Sequence, residues 1–472
     1  MKSLFNKETT LKPITPQIVT DFLEDIESIF PKFDDADGPI HVVFPQVVTN
    51  QITRLQSLFR ELELDVAMYF AHKPTKSSAL IQSAIDAGIN IDVASLPELE
   101  HVLSLGCAPD RIEATGSKNH RFLKACIDMG ILISVDSLSE LEQISDITND
   151  SEVRVLLRIA DPVCVDRNKK GRMSRFGIPR VQIEMALEKA TEAGITVCGF
   201  HIHNDEREAD VKAGYIEDVL SFIEIAHKMG HTPSIVNIGG GLRDAELEYY
   251  GQWEQFLDKL EQELMTGKQD TTWRSFAYGM YLNDKGRISG RERIQARFSS
   301  ARIEDVLQRT FQHQTNHGVP LHQLLNDAFL TVMTEPGYIL TQGAGVSFVE
   351  VVGIADNPDG TQRIIVDANM YNLSVQMREL LVDPVLICKG DMSEKEAGYT
   401  GFIVGNLCRE EDVLMRRNVS FDQVPKVGDY ICFMNTAGYT SSFESASPHM
   451  HSVGQQYVAQ YEENNWNITK EI

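Results

Sequence analysis

From residue 62 onward the chain alternates short apolar, β-rich runs with longer amphipathic ones, and no other feature constrains its fold so tightly. The runs are "DVAMYFA", "INIDVA", "RIEATG", "ILISVD", "VRVLLRI", "TVCGFHI", "SIVNIGG" and "FLTVMTEP". Such alternation builds a parallel sheet from strand–helix units, because each helix returns the chain so that the next strand runs the same way. Several of the intervening helices end on glycine, at Gly88, Gly106, Gly130, Gly194 and Gly230, where a left-handed residue closes the last turn without a Cβ clash. Two helices open alike: "SLPE" (Ser95 to Glu98) and "SLSE" (Ser137 to Glu140) are capping boxes, in which a serine hydroxyl and a glutamate carboxylate satisfy first-turn amides. Eight such units match the size of a closed (β/α)8 barrel, roughly 250 residues without insertions. An open doubly wound sheet is the alternative.

The 472 residues exceed what one hydrophobic core usually holds, so roughly two domains are expected. The excess within the barrel falls between its seventh and eighth strands, where residues 244–325 are polar and helical in character and read as an insertion. Beyond Gly337 the pattern changes to strands without helices between them: "GVSFVEVVGIADNPDGTQRIIVDAN" reads as two strands around an Asn-Pro-Asp-Gly turn, followed by "GFIVGNLC" and "VGDYICFMN". The expected organisation is an N-terminal segment (1–50) whose "IHVVFP" gives a strand to the β domain, a barrel (51–337) carrying the insertion, and a C-terminal all-β domain (338–472).

A formal charge of −24 argues against nucleic acid or an anionic membrane as partner, since both demand a basic face. The seven cysteines lie far apart, with no CxxC pair, which suits reduced thiols. "MKSLFNKETTLKP" lacks the apolar core of a signal peptide, and no run approaches the ~20 apolar residues of a membrane helix. The expectation is a soluble cytoplasmic protein.

Barrel enzymes gather their chemistry at the C-terminal ends of their strands. In "MYFAHKPTKSS", Lys73 stands where the first apolar run stops. Asp92 follows strand two, Asp136 strand four, Arg158 strand five, His201 and His203 strand six, Gly239, Gly240 and Gly241 strand seven, and Glu335 strand eight. "NIGGGL" reads as a phosphate cradle, because residues without side chains let backbone N–H groups approach an anion. A phosphate site, a lysine and an acid together point to pyridoxal 5'-phosphate, which needs an amine, an anion site and a partner for its ring nitrogen. No metal is expected.

In order along the chain, "FAHKPT", "INIDVASLPELE", "LLRIAD", "SRFGIP", "GFHIHN", "NIGGGL", "TEPG", "VDAN", "GNLCREEDVL" and "AGYTSSF" resemble the fold-type-III pyridoxal-phosphate decarboxylases, the diaminopimelate, ornithine and arginine decarboxylase group. The resemblance implies that Lys73 carries the cofactor, that His203 stacks on its ring and that Glu335 pairs with its pyridine nitrogen. Gly239, Gly240 and Gly241, with Tyr439, would hold the phosphate, and Asp92 and Arg158 match positions near the cofactor. Cys408 and Asp412 match a segment that relatives lend to the active site of the neighbouring subunit, which implies a homodimer and places Asp412, with Arg409, among the residues that contact the substrate. A carboxylate at Glu335 favours a cationic pyridinium, whereas racemases of this fold place an arginine there. Cys408 is then the general acid that returns a proton to Cα.

Four departures bear on function. Pro74 follows the lysine where relatives have Ala-Asn. "DERE" follows "GFHIHN" without a Gly-Ser, and Tyr338 follows "EPG" in place of an arginine, so two phosphate partners are missing. After Cys408 stands Arg409, where diamino-acid decarboxylases have an acid. That reversal suits a substrate with an anionic or bulky polar distal group, such as a citrate-conjugated diamino acid of siderophore assembly, unless Glu410 and Glu411 neutralise the arginine. Amino-acid decarboxylation is the leading reading; racemisation on the same lysine and a non-catalytic regulator are the alternatives.

Overall fold

The computed structural model describes residues 11–33, 35–148, 152–163, 174–203, 208–268, 270–373, 381–389, 398–443 and 448–471. They form two compact units, one of residues 48–243 and 302–340, the other of the remainder. No described helix is long and apolar enough to cross a membrane.

The first unit is the closed barrel that the alternation predicts. Its eight strands are Val66–Ala71, Asn90–Val93, Ile112–Ala114, Leu132–Val135, Arg154–Arg158, Thr196–His201, Ile235–Asn237 and Thr331–Thr334, with the eighth pairing parallel to the first. Every second residue of a barrel strand faces the axis. Tyr69, Leu132, Leu156 and Met333 fill one interior layer with Ala67, Cys198 and Ile235. One step further along four of the strands the inward residue becomes polar: Ser134, Arg158, Asn237 and Glu335 follow Leu132, Leu156, Ile235 and Met333 by two positions. Strand six breaks the alternation, because its pairing with strand five slips at Gly199. A Cβ on Gly199 would overlap the Ile235 carbonyl, and after this slip His201 joins the polar layer.

Both capping boxes are present, and each does more than start a helix. Ser95 and Ser137 accept the amides of Glu98 and Glu140, while those glutamates reach back to the amides of Ala94 and Asp136, at 2.7 and 2.6 Å. Glu140 also meets the buried Lys118 ammonium at 3.2 Å, and Lys118 Nζ donates to the Gly116 and Ser134 carbonyls at 2.6 and 2.7 Å. The ends of strands three and four are thereby bolted together beneath the barrel mouth.

The second unit is built on a sheet whose long strand, Gly345–Asp356, pairs antiparallel with Ile40–Val43, Gln362–Val366 and Tyr430–Met434. Ile40–Val43 also runs parallel to the strand Gln455–Glu462. The stretch 244–325, read from the sequence as one insertion of the barrel, divides: residues 244–301 belong with the sheet unit and only 302–325 with the barrel. Its helix Tyr250–Thr266 buries Trp253, Phe256, Leu257 and Leu260. Thr272 then bridges to Arg417, Trp273 packs on Phe402 at 5.3 Å, and Arg274 pairs with Glu410. Amphipathic periodicity marks a helix without saying which core its apolar stripe completes, so only the tertiary fold makes this assignment.

Candidate active site

The polar layer of the barrel converges on Glu335. This carboxylate is 5 % exposed and accepts from Asn237 Nδ2 at 2.7 Å. His201 Nε2 stands 3.3 Å from Oε1 and His203 Nδ1 3.8 Å from Oε2. Asn237 is the hub. Its Oδ1 accepts the Gly239 N–H at 2.8 Å, and its Nδ2 also faces both oxygens of Glu113, at 3.1 and 3.3 Å. Around it, Ser134 Oγ meets His201 Nδ1 at 2.7 Å, and Thr115 Oγ1 donates to Asp92 at 2.6 Å. Arg158 lies 3.4 Å from Asp136, its guanidinium 4.8 Å from the centre of the Phe176 ring.

Three buried acids, Asp92, Glu113 and Glu335, thus share one interior, and like charges in a low dielectric cannot all ionise. Burial and the charge of Glu335 push Asp92 and Glu113 well above the ordinary carboxylate range. Burial would raise Glu335 too, but His201, His203 and Arg158 outweigh it and hold this acid low. Burial pulls His201 down to about 3 against the attraction of Glu335, so its imidazole is neutral near pH 7. Near neutral pH the Glu335 carboxylate is therefore held by the Asn237 amide, which donates to it at 2.7 Å, with the Arg158 charge favouring its ionised form. Of the three acids, Glu335 is the one held low, while Asp92 and Glu113 are the two pushed up.

The glycines after strand seven are required by space. Gly239 and Gly241 have φ of +66° and +75°, the left-handed region that side chains disfavour. A Cβ on Gly239 would lie 2.6 Å from His203 Nδ1, and one on Gly240 2.6 Å from the Glu335 carbonyl. Two of the three amides expected to hold phosphate are nonetheless engaged inside the barrel: Gly239 N–H by Asn237, and Gly240 N–H by His203 Nδ1 at 3.2 Å. This corrects the reading of "GGG" as three amides aimed at an anion. Asn204–Arg207, at the start of "NDERE", lie outside the described residues.

Lys73 is exposed at the end of strand one, and its charge favours the ionised forms of Asp92 and Glu98. Pro74, which departs from the relatives, packs under the loop after strand eight, where a Cβ on Gly337 would come within 2.9 Å of its ring. Lys73, Asp92, Arg158, His203, Gly239, Gly240, Gly241 and Glu335 all occupy the C-terminal mouth of the barrel. His201, His203 and Glu335 also place ligand atoms within 4.8 Å of one another, a spacing that metal sites share. The contacts of both imidazoles to Ser134 and Gly240 are those of a pocket wall.

Cys408, Arg409, Asp412 and Tyr439 lie in the sheet unit. The Cys408 thiol is exposed. Arg409 Nη1 donates to the Tyr371 hydroxyl at 2.7 Å, and its Nε lies 3.5 Å from Glu411. Asp412 is 3 % exposed, and both oxygens accept backbone amides, from Met370 at 2.8 Å and Leu407 at 2.9 Å. Burial and those two amides make it a brace for the Cys408 loop and leave little of the carboxylate exposed for the substrate contact expected from the sequence. Tyr439 sits at φ +63° with its ring 5.5 Å from Phe443.

The residues that sequence reasoning overlooked are Glu113, Thr115, Ser134 and Asn237. Glu113 carried a signal: it is the one charged side chain at an inward position of the third strand.

Residues 47–269 match the family model described as pyridoxal-dependent decarboxylase, pyridoxal binding domain. Over that stretch the chain is similar to the pyridoxal-phosphate-dependent ornithine, arginine and diaminopimelate decarboxylases. The uncharacterized protein y4yA of Sinorhizobium fredii is 26 % identical over 89 % of this chain and 87 % of its own length. Ornithine decarboxylase of Caenorhabditis elegans is also 26 % identical, over 48 % of this chain and 53 % of its own length, so the chain spans about half of that relative. Among solved structures, the arginine decarboxylase of Paramecium bursaria Chlorella virus has the same fold, with a TM-score of 0.68 at 20 % identity over 92 % of this chain and all of that one. The family's cofactor is pyridoxal phosphate, and the donor set at the barrel mouth suits it: an exposed lysine, a buried ionised carboxylate, and a turn where only glycine fits.

Proposed function

We propose that this chain is a pyridoxal-phosphate-dependent decarboxylase that removes the α-carboxylate of an amino acid or amino-acid conjugate. The observation that carries the reading is the buried, ionised Glu335 among Asn237, His203 and Arg158. Bound pyridoxal phosphate supplies the electron sink for the pair left by departing CO2. Lys73 would hold the cofactor through its amine, and Glu335 would keep the ring nitrogen protonated by placing a negative charge beside it. His203 and Arg158 would wall the ring, with Gly241 supporting the phosphate. Cys408, contributed across a homodimer interface, would return the proton to Cα.

Racemisation on the same lysine needs a ring nitrogen without its proton, and Glu335 opposes that. Assaying CO2 release against solvent deuterium exchange into recovered substrate separates the two. Exchange without CO2 from any amino acid would overturn the proposal. A purified chain that shows no absorbance of bound cofactor would point instead to a regulator.

Arg409 supports a substrate with an anionic or bulky polar distal group, since Tyr371 holds its guanidinium in place for a charge-assisted contact. Glu411 offsets part of that charge. Turnover of lysine, ornithine, arginine and diaminopimelate should be poor beside that of acidic analogues. Efficient turnover of a simple diamino acid would remove the idea.

A further inference from the structure

Glu113 is fully buried on the third barrel strand, yet nothing in the proposed chemistry uses it. Its surroundings are specific. Asn237 Nδ2 donates to Glu335 at 2.7 Å and faces Glu113 at 3.1 and 3.3 Å, so one amide group bridges an acid after the neighbouring strand and an acid from across the barrel. The other groups whose charge reaches Glu113 are Tyr69 on strand one, Asp92 on strand two, Lys118 on the loop after strand three, and Glu335 itself.

An amide NH2 has two hydrogens, and here each has one carboxyl to meet. Asn237 cannot rotate away without also releasing the Gly239 N–H from its Oδ1. Two carboxylates on one donor repel, and the pair is stable when only one carries charge. Asn237 Nδ2 lies closer to Glu335 than to Glu113 and the Arg158 charge favours ionised Glu335, whereas no cation pairs directly with Glu113 among the described residues. The proton therefore belongs on Glu113.

We propose that Glu113, held as a neutral acid on the Asn237 amide, is a positioning residue that fixes Asn237 against Glu335 and limits the anionic charge offered to the cofactor's ring nitrogen. This rests on the cofactor reading above. Glu113 is not a catalytic residue; it acts through Asn237 and Glu335. A buried acid with a merely structural role would stabilise the barrel without affecting the ring.

Two measurements test it. In the apoprotein, infrared difference spectra of wild type and Glu113→Gln should show loss of a C=O stretch of a protonated carboxylic acid at neutral pH. Loss of an ionised-carboxylate band in its place would overturn the proposal, whether or not the chain binds pyridoxal phosphate. In the holoenzyme, Glu113→Gln should match the wild-type cofactor spectrum at neutral pH, because an amide mimics the neutral acid. Glu113→Leu leaves the Asn237 amide short of an acceptor and should alter the spectrum already at neutral pH, in protein whose circular dichroism is native. A Glu113→Gln spectrum that departs from wild type at neutral pH, or a leucine variant with the wild-type spectrum, would overturn it.

Discussion

Lowering the pH should destabilise this barrel through a histidine beside its key lysine. His72 directly precedes Lys73 and, facing the helices, is 4 % exposed. Its Nε2 lies 2.7 Å from His101 Nδ1, its Nδ1 3.7 Å from Glu98, and His101 Nε2 meets Ser78 Oγ at 2.9 Å. Burial first, then the neighbouring His101, lowers its pKa from 6.5 to about 4. The native state thus refuses a proton that the unfolded chain accepts, and stability tied to neutral His72 is complete above pH 6.5 and lost as the pH falls toward 4. At about 1.4 kcal/mol per pH unit, that interval is worth roughly 3 kcal/mol, a large share of a typical domain's ~5–15 kcal/mol. Other groups titrate in the same range, so the effect is isolated by comparison with His72→Leu. Urea unfolding of both proteins, repeated at steps between neutral pH and pH 4, should give curves that converge as the pH falls. The variant is expected to be the less stable near neutrality, where His101 and Ser78 lose a partner, and to fall less steeply. Parallel curves would refute the reasoning.

Two further outcomes follow from the barrel mouth. Lys118→Met strands Glu140 and the carbonyls of Gly116 and Ser134 in a buried site and should cost roughly 3–5 kcal/mol, read as a lower urea midpoint; a loss well under that range would mean that water replaces the ammonium. Gly240→Ala drives a methyl toward the Glu335 carbonyl, with 2.6 Å available, and should cost roughly 1–3 kcal/mol while weakening cofactor retention, measured as absorbance surviving dialysis.

Much of the candidate site was legible because its residues end strands. Lys73, Asp92, Arg158, His203 and Glu335 mark the points where apolar runs stop, and the short motifs around them carry the family resemblance. Gly239 and Gly240 were legible as a turn but not in function, since the engagement of their amides by Asn237 and His203 depends on neighbouring strands. Asp412 was misread for a related reason: a carboxylate in a loop looks available until the amides of Met370 and Leu407 are seen to close on it.

The sequence by itself determined the eight strand–helix units, their capping boxes and the change to strands beyond Gly337, because each is written in neighbours a few residues apart. Only the tertiary structure decided that Glu113 and Asn237, 124 positions apart, meet across the barrel, and that Asn237 joins them to Glu335, 98 positions further. It also decided that residues 244–301 complete the sheet unit. Strand register and the slip at Gly199 set which polar side chains face one another, and no local period encodes a contact made by closing a sheet on itself.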